Sequence, residues 1–204
     1  MHLAGALKER LGELLNEWDR AEESIKQAEF IQDEVVLPSI NELRYAGRKI
    51  VEALRLSDDD PSRAELLLND AIFDCMRARH DAVDAVTAFI SIKLDALTEE
   101  LGVDVVISCF PRMPELIAAL GEVEDAIVVS REKRTDRDAI YETLHRADLP
   151  RIIGLYKSLR ANEEIMQARA RELASETRKA DRRFWWALFV ALAGVIVGIV
   201  GWFH

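Results

Sequence analysis

The sequence predicts an all-α protein: an antiparallel bundle of long helices, followed by one C-terminal transmembrane helix. Apolar residues recur at intervals of three and four along most of the chain, which is the spacing of one helix face. Glycine and proline fall mainly at the junctions between these stretches. Residues 184–203 form an apolar segment without a charged side chain. Together these observations favour helices throughout and a membrane span at the end.

The first two helices are predicted from their apolar spacing and their boundaries. Helix one should run from about Leu3 to Val36, because its apolar positions alternate like those of a coiled coil. Helix two should run from Pro38, a residue favoured in the first helical turn, to Leu56. An acidic turn, residues 57–61, follows it. The predicted seam of helix one comprises Leu7, Leu11, Leu14, Trp18, Ala21, Ile25, Ala28 and Val35.

The third helix should run from about Pro61 to Leu101, with Gly102 as its C-terminal stop. Small residues in its middle permit the close approach of a neighbour, which suits an antiparallel bundle. One of its faces is acidic with a single arginine. Since Arg77 can pair with acids at helical spacing, we expect this face to be solvated. Its members are Asp70, Asp74, Arg77, Asp81 and Asp84.

Beyond Gly102, the one stretch that could form a strand is Val103–Phe110. A fourth helix is predicted from about Pro114, and whether it pauses and restarts near Thr135 is left open. A break is predicted at Asp148-Leu149-Pro150, because the residue before a proline is disfavoured in a helix. The last helix should then continue without interruption into the membrane segment.

The C-terminal segment Phe184–Phe203 has the length and composition of a transmembrane helix. Twenty residues at about 1.5 Å each reach roughly 30 Å, the thickness of the hydrocarbon core. Eleven Leu, Ile, Val and Phe residues contribute roughly −3 to −6 kcal/mol to insertion. Aromatic residues stand at both ends, as they do at membrane interfaces. These are Phe184, Trp185, Trp186, Trp202 and Phe203.

Four cations precede this segment and predict its orientation. Lysine and arginine favour the cytoplasmic side of a membrane, so the preceding chain should be cytosolic. We therefore predict three regions: a cytosolic helical bundle (1–177), a basic juxtamembrane flank (178–183) and a transmembrane helix (184–203). The excess of arginine over lysine is typical of some bacteria and favours a bacterial inner membrane. The predicted membrane-anchor flank comprises Arg178, Lys179, Arg182, Arg183, Trp185, Trp186 and Trp202.

Small residues share one stripe of the predicted transmembrane helix. In lipid, helices associate through close packing, and small side chains let two backbones approach. The stripe predicts a homo-oligomer, although glycine and alanine are also common in membrane helices generally. This helix-association face comprises Ala187, Ala191, Gly194, Gly198 and Gly201.

The net charge of the chain restricts the classes of partner that it is expected to bind. A net charge of −10 argues against a nucleic-acid-binding surface, which would have to follow phosphates. The second helix nevertheless carries a locally basic patch with an aromatic residue, and this patch could face a protein partner or lipid headgroups. The alternative is an ordinary polar helix face, since Glu42 and Glu52 dilute the charge. The possible partner patch comprises Arg44, Tyr45, Arg48 and Lys49.

Two of the histidines, His80 and His145, lie near residues that occur in catalytic motifs. Glu142 and His145 match the Glu-x-x-His element of di-iron bundles, but the second copy that such a site needs is absent from the sequence. His80 follows Arg79 directly. The length and the all-helical pattern resemble the HEPN ribonuclease class, although its Arg-x4–6-His motif is missing. We therefore predict no metal, no cofactor and no catalytic residue.

The function expected from the sequence is a tail-anchored, single-pass membrane protein. Its cytosolic bundle would act as a protein-interaction or sensor module, with an unknown cytosolic protein partner, and would self-associate through the membrane helix. One alternative is a membrane-perturbing effector of the toxin or defence type. A second is a membrane-held, HEPN-like nuclease or hydrolase that uses His80, His145 and the acidic face of the third helix.

Overall fold

A computed structural model describes residues 5–133 and 135–202, with side chains described as far as residue 189. The predicted all-α class is confirmed, since the described residues form helices and short connections. One short segment is a π-helix, which is wider than an α-helix. The elements are α1 (Gly5–Gln32), α2 (Leu37–Leu56), α3 (Pro61–Leu101), α4 (Val103–Cys109), α5 (Met113–Glu132), α6 (Arg137–Thr143), the π-helical segment (Leu144–Asp148), α7 (Leu149–Ala161) and α8 (Glu163–Trp202).

The chain divides into two compact units: Met1–Asp95 with Pro114–Lys157, and Ala96–Met113 with Ser158–His204. The first unit is a helical bundle. Its ion pairs show how the helices run. Glu42 pairs with Arg77, whereas the later residue Glu52 pairs with the earlier residue Arg63, so α2 and α3 are antiparallel.

The same reasoning applies to α3 and α5. Ser91 bonds to Glu124 and Asp84 to Arg131, so these helices are antiparallel too. The antiparallel arrangement of neighbouring helices that the sequence predicts is thus present in this unit.

Helix α1 buries most of its predicted seam, but it ends earlier than expected. Asp33 takes a left-handed conformation, with φ of 58°, and stops the helix at Gln32. The turn exposes Val35 (63 %) and buries Val36 (3 %), so the prediction that Val35 belongs to the seam is wrong. The buried members of the seam are Leu7, Leu14, Ala21, Ile25 and Ala28.

Helix α3 begins and ends where the sequence predicts. The carboxylate of Asp60 accepts a hydrogen bond from the backbone N–H of Arg63 at 3.0 Å, which caps the first turn after Pro61. At the other end, Gly102 has φ of 85°, a conformation that a residue with a Cβ rarely adopts. Local chemistry therefore fixes both boundaries of the longest helix in the first unit.

Two predictions about breaks are wrong. The chain stays helical across residues 148–150, because the π-helical segment leads directly into α7 and places Pro150 in its first turn, where proline is tolerated. The predicted uninterrupted last helix is broken at Asn162. The amide of Asn162 donates to the carbonyl of Ser158 at 2.8 Å, satisfying a carbonyl at the end of α7.

Two open questions are answered. Val103–Phe110 does not form a strand, since Val103–Cys109 is helix α4. The chain does pause near Thr135, between α5 and α6, and the restart uses Asp136 as N-cap without a side-chain capping bond. Thr135 itself donates to the carboxylate of Asp136 at 3.3 Å.

The second unit has a small core and a long exposed helix. Val106, Phe110 and Met113 are buried in its first segment, and Leu159 and Met166 in its second. Every residue of α8 from position 174 to position 189 is exposed. Among the residues that the structure describes, none of the helices combines the length and apolar character that a membrane crossing requires. The predicted span 184–203 extends past residue 189, so most of it lies outside the described side chains.

Candidate functional site

The basic flank lies on α8, within its exposed part. Arg178, Lys179, Arg182 and Arg183 are all exposed. In the part of the chain that the structure describes, none of the four forms a hydrogen bond or an ion pair with a protein group. Acidic side chains among the described residues therefore do not pair with these four cations.

Aromatic side chains follow the flank directly and are equally accessible. Phe184, Trp185, Trp186 and Phe189 are 64–66 % exposed. Two pairs make edge-to-face contacts with ring centroids 6.1 Å apart, Phe184 with Trp185 and Trp186 with Phe189. Large contiguous exposed apolar groups are unusual on monomeric soluble proteins.

The helix-association face is only partly described. Ala187 is exposed on α8. Ala191, Gly194, Gly198, Gly201 and the aromatic Trp202 lie outside the residues whose side chains the structure describes. The proposed packing of small residues thus stays a prediction from the sequence.

The partner patch predicted on α2 lies beside a cavity of about 340 Å³ between α2 and α3, the α2–α3 cavity. Tyr45, Arg48 and Lys49 line it, whereas Arg44 lies outside the lining, is exposed and donates to Asn41. The structure thus divides the predicted patch into cavity-lining and outward-facing members. The full lining is Tyr45, Arg48, Lys49, Glu52, Leu67, Asp74 and Arg77.

Asp74 forms the floor of this cavity, and the expectation that it belongs to a solvated face is wrong. Its side chain is fully buried. Lys49 Nζ lies 2.7 Å from one carboxylate oxygen, and Arg77 bonds to the other. Arg77 also reaches Glu42 on α2 at 2.9 Å. The α2 helix supplies partners that spacing along α3 alone does not reveal.

A second group of charges lies on the other side of the first unit, around Glu142. This carboxylate accepts hydrogen bonds from Arg20 on α1 and from Arg79 on α3, the latter at 3.0 Å, and pairs with Arg146 one turn later. Burial raises the pKa of Glu142, but the bond from Arg20 and the neighbouring cations hold it below its usual value. Arg79 is only 2 % exposed. We call this set the Glu142 cluster: Glu17, Arg20, Arg79, Glu142 and Arg146.

His80 lies next to this cluster and is buried. Its ring stacks on Tyr141, with centroids 3.8 Å apart, and its Nε2 lies 3.4 Å from Asp138. Burial, helped by the charges of Arg137 and Arg79, lowers the pKa of His80 from 6.5 to about 3. Half of the Asp138 side chain is in solvent, so water screens its charge and the imidazole is neutral at neutral pH.

Tyr141 and His145 are the other titratable side chains of this region. The Tyr141 hydroxyl donates to Asp84 at 2.7 Å, and burial together with this bond raises its pKa to about 12. His145 belongs to the π-helical segment, is half-buried, and burial lowers its pKa below the usual value. His80 and His145, the histidines of the nuclease alternative, are thus a buried and a half-buried side chain whose pKa values are both lowered.

This chain matches no known protein family, no curated protein and no solved structure.

The geometry itself must therefore indicate what each site does. In the described part of the chain, no group of three or more His, Cys, Asp or Glu residues is placed to hold a metal ion. The Glu142 cluster is a set of partly buried ion pairs, in which the carboxylate of Glu142 is already paired with three arginines. The α2–α3 cavity differs, since two of its lining side chains, Tyr45 and Arg48, make no hydrogen bond or ion pair within the described residues.

Sequence reasoning missed the burial of Arg79 and Asp74, because a charge on a helix is solvated by default. The pairing of Arg20 with Glu142 crosses 122 residues of chain and leaves no trace in local spacing. One feature of the sequence could have indicated the burial of Arg79. This residue lies in a stretch of α3 whose neighbours are alanines and His80, and these neighbours are buried with it.

Proposed function

We propose that this protein is a tail-anchored, single-pass membrane protein whose cytosolic helical bundle acts as an interaction or sensor module. The observation that carries this proposal is the order of surfaces along α8: four unpaired, exposed cations, then four exposed aromatic rings. Cations favour anionic headgroups and aromatic rings favour the interface below them. The apolar sequence that continues to residue 203 is long enough for the hydrocarbon core.

Fractionation of cells that express the full chain tests the anchor. We expect the protein in the membrane fraction and resistant to alkaline carbonate, which releases peripheral proteins. Truncation after Arg183 should make it soluble, and Ala193→Arg, which places a charge near the middle of the span at a cost of about 2.5–3.5 kcal/mol, should weaken insertion. Leu66→Arg, a matched change at an exposed apolar site of the bundle, should leave the distribution unchanged. Full-length protein that carbonate extracts completely would contradict the proposal.

Self-association through the small-residue stripe is the second part of the proposal. Gly198→Ile would keep the two backbones apart and should weaken association in membranes by about tenfold. Val200→Ile adds bulk on the opposite side of the helix and is the matched control. Energy transfer between donor- and acceptor-labelled full-length chains in vesicles measures the difference. Equal association of the two variants would show that the small-residue stripe is not the contact between the helices.

A further inference from the structure

The α2–α3 cavity has the size and composition of a small-molecule site. Its volume of about 340 Å³ falls at the lower end of the range of ligand pockets, roughly 300–1,000 Å³. Leu67 and the ring of Tyr45 supply its apolar wall, and charged side chains supply the rest. This lining is more charged than that of most ligand pockets, which favours a charged ligand.

The charges around the cavity leave an excess of one cation. The lining holds three cations, Arg48, Lys49 and Arg77, and two anions, Glu52 and Asp74. The outer partners cancel each other, because Arg77 also pairs with the anion Glu42, and Glu52 pairs with the cation Arg63. The excess therefore stays at one positive charge.

The excess charge can be assigned to one side chain. Lys49 and Arg77 are both held by the buried carboxylate of Asp74. Arg48, in contrast, is exposed and has no hydrogen bond or ion pair within the described residues. A free guanidinium at the mouth of a cavity presents a planar pair of donors that matches a carboxylate.

The buried ion pairs at the floor of the cavity also favour a role in ligand binding. A fully buried carboxylate costs stability unless partners compensate it, and apolar residues would fill such a position at least as well. Asp74 holds two cations in fixed positions beside the cavity. The two carboxylates of the lining are thus compensated by cations, and the single excess positive charge matches a ligand with one negative charge.

We propose that the α2–α3 cavity binds a small organic monoanion, a carboxylate that carries a flat ring. Arg48 pairs with the carboxylate, Tyr45 stacks on the ring, and Leu67 closes the apolar wall. This inference rests on the proposed sensor role of the bundle and gives that role a ligand class. It does not depend on the membrane helix.

Calorimetric titration of the full-length protein in detergent micelles tests the site with benzoate as probe. Benzamide has the same ring without the charge and is the control ligand. We expect saturable binding of benzoate and at least about tenfold weaker binding of benzamide, because the neutral amide cannot form the ion pair.

Variants locate the binding. Arg48→Gln should weaken benzoate binding about tenfold or more, whereas Arg44→Gln, one turn away and outside the lining, should leave it unchanged. Leu67→Trp fills the cavity and should block binding while the protein stays folded by circular dichroism; should that variant unfold, the arginine pair decides. Absence of saturable benzoate binding, or equal binding to the two arginine variants, would overturn the proposal. Neither result bears on membrane anchoring, which fractionation measures separately.

Discussion

Individual residues contribute most to stability where their charges are buried or partly buried. Glu142 accepts hydrogen bonds from arginines on α1 and α3 and thereby links the last turn of α6 to both helices. A carboxylate in such a position is stabilised only while its partners remain, and the partners lose their compensation if it is removed. The local sequence marks Glu142 only as part of a Glu-x-x-His element and does not reveal its arginine partners on α1 and α3, which are distant along the chain.

Replacing Glu142 with glutamine should lower the free energy of unfolding by about 2–3 kcal/mol, less than for a fully buried pair because a quarter of the side chain meets solvent. Glu122→Gln is the matched control. Glu122 pairs with Arg151 but is 62 % exposed, so the loss should stay within about 0.5 kcal/mol. Urea unfolding of both variants measures the difference, and equal effects would show that the cluster contributes no more than a surface pair.

His80 makes stability depend on pH. Its pKa is about 3 in the folded protein and 6.5 in the reference state, so the unfolded chain binds more protons between these values. Stability is therefore fully present above pH 6.5 and is lost as the pH falls toward 3, at about 1.4 kcal/mol per pH unit. Between pH 4.5 and 6.5 Glu142 adds no loss, because its pKa is lowered from 4.5. The lowered pKa of His145 adds a loss of the same sign in this window, so a variant of His80 is needed to separate the two histidines.

The variant His80→Phe keeps a ring against Tyr141 but cannot take up a proton. Its stability in this window should therefore fall less steeply with decreasing pH than that of the wild type, by about 1.4 kcal/mol per pH unit. Urea unfolding at pH 4.5, 5.5 and 6.5 measures both slopes. Parallel slopes would mean that His80 takes up its proton in the folded protein as readily as in the unfolded chain.

At the scale of the elements, local chemistry was predictable and tertiary context was not. Pro61 and Gly102 bound α3 as expected, since a fixed φ and a left-handed glycine act within one turn. Pro150 was misread as a break because the π-helical segment before it cannot be recognised from spacing. The burial of Asp74 was missed because Lys49, its partner, lies on another helix.

The N-cap of α3 gives a prediction for an element. Asp60→Ala removes the acceptor of the Arg63 N–H and should lower the free energy of unfolding by about 1 kcal/mol. Asp59→Ala removes the same charge from the adjacent exposed position, where no side-chain capping bond is made, and should change stability by less than about 0.5 kcal/mol. Thermal unfolding measured by circular dichroism compares them. Equal shifts in melting temperature would show that the loss of charge, and not the loss of the capping bond, lowers the stability.

At the scale of the whole molecule, the sequence predicted the helical class. The proposed functions depend on two surfaces of different kinds. The exposed cations and aromatic rings of α8 suit a membrane interface, and the α2–α3 cavity of the bundle suits a small ligand. The sequence predicted only part of this cavity. Tyr45, Arg48 and Lys49 could be recognised as a patch on α2, whereas the residues of the cavity floor on α3 could not.

Protease protection tests the central claim, membrane anchoring with a cytosolic bundle, most directly. The full-length chain carries one epitope tag before Met1 and another after His204, and inside-out and right-side-out vesicles from the expressing cells are treated with protease. The account predicts that the N-terminal tag is digested only in inside-out vesicles and the C-terminal tag only in right-side-out vesicles. Digestion of both tags from the same side would contradict it.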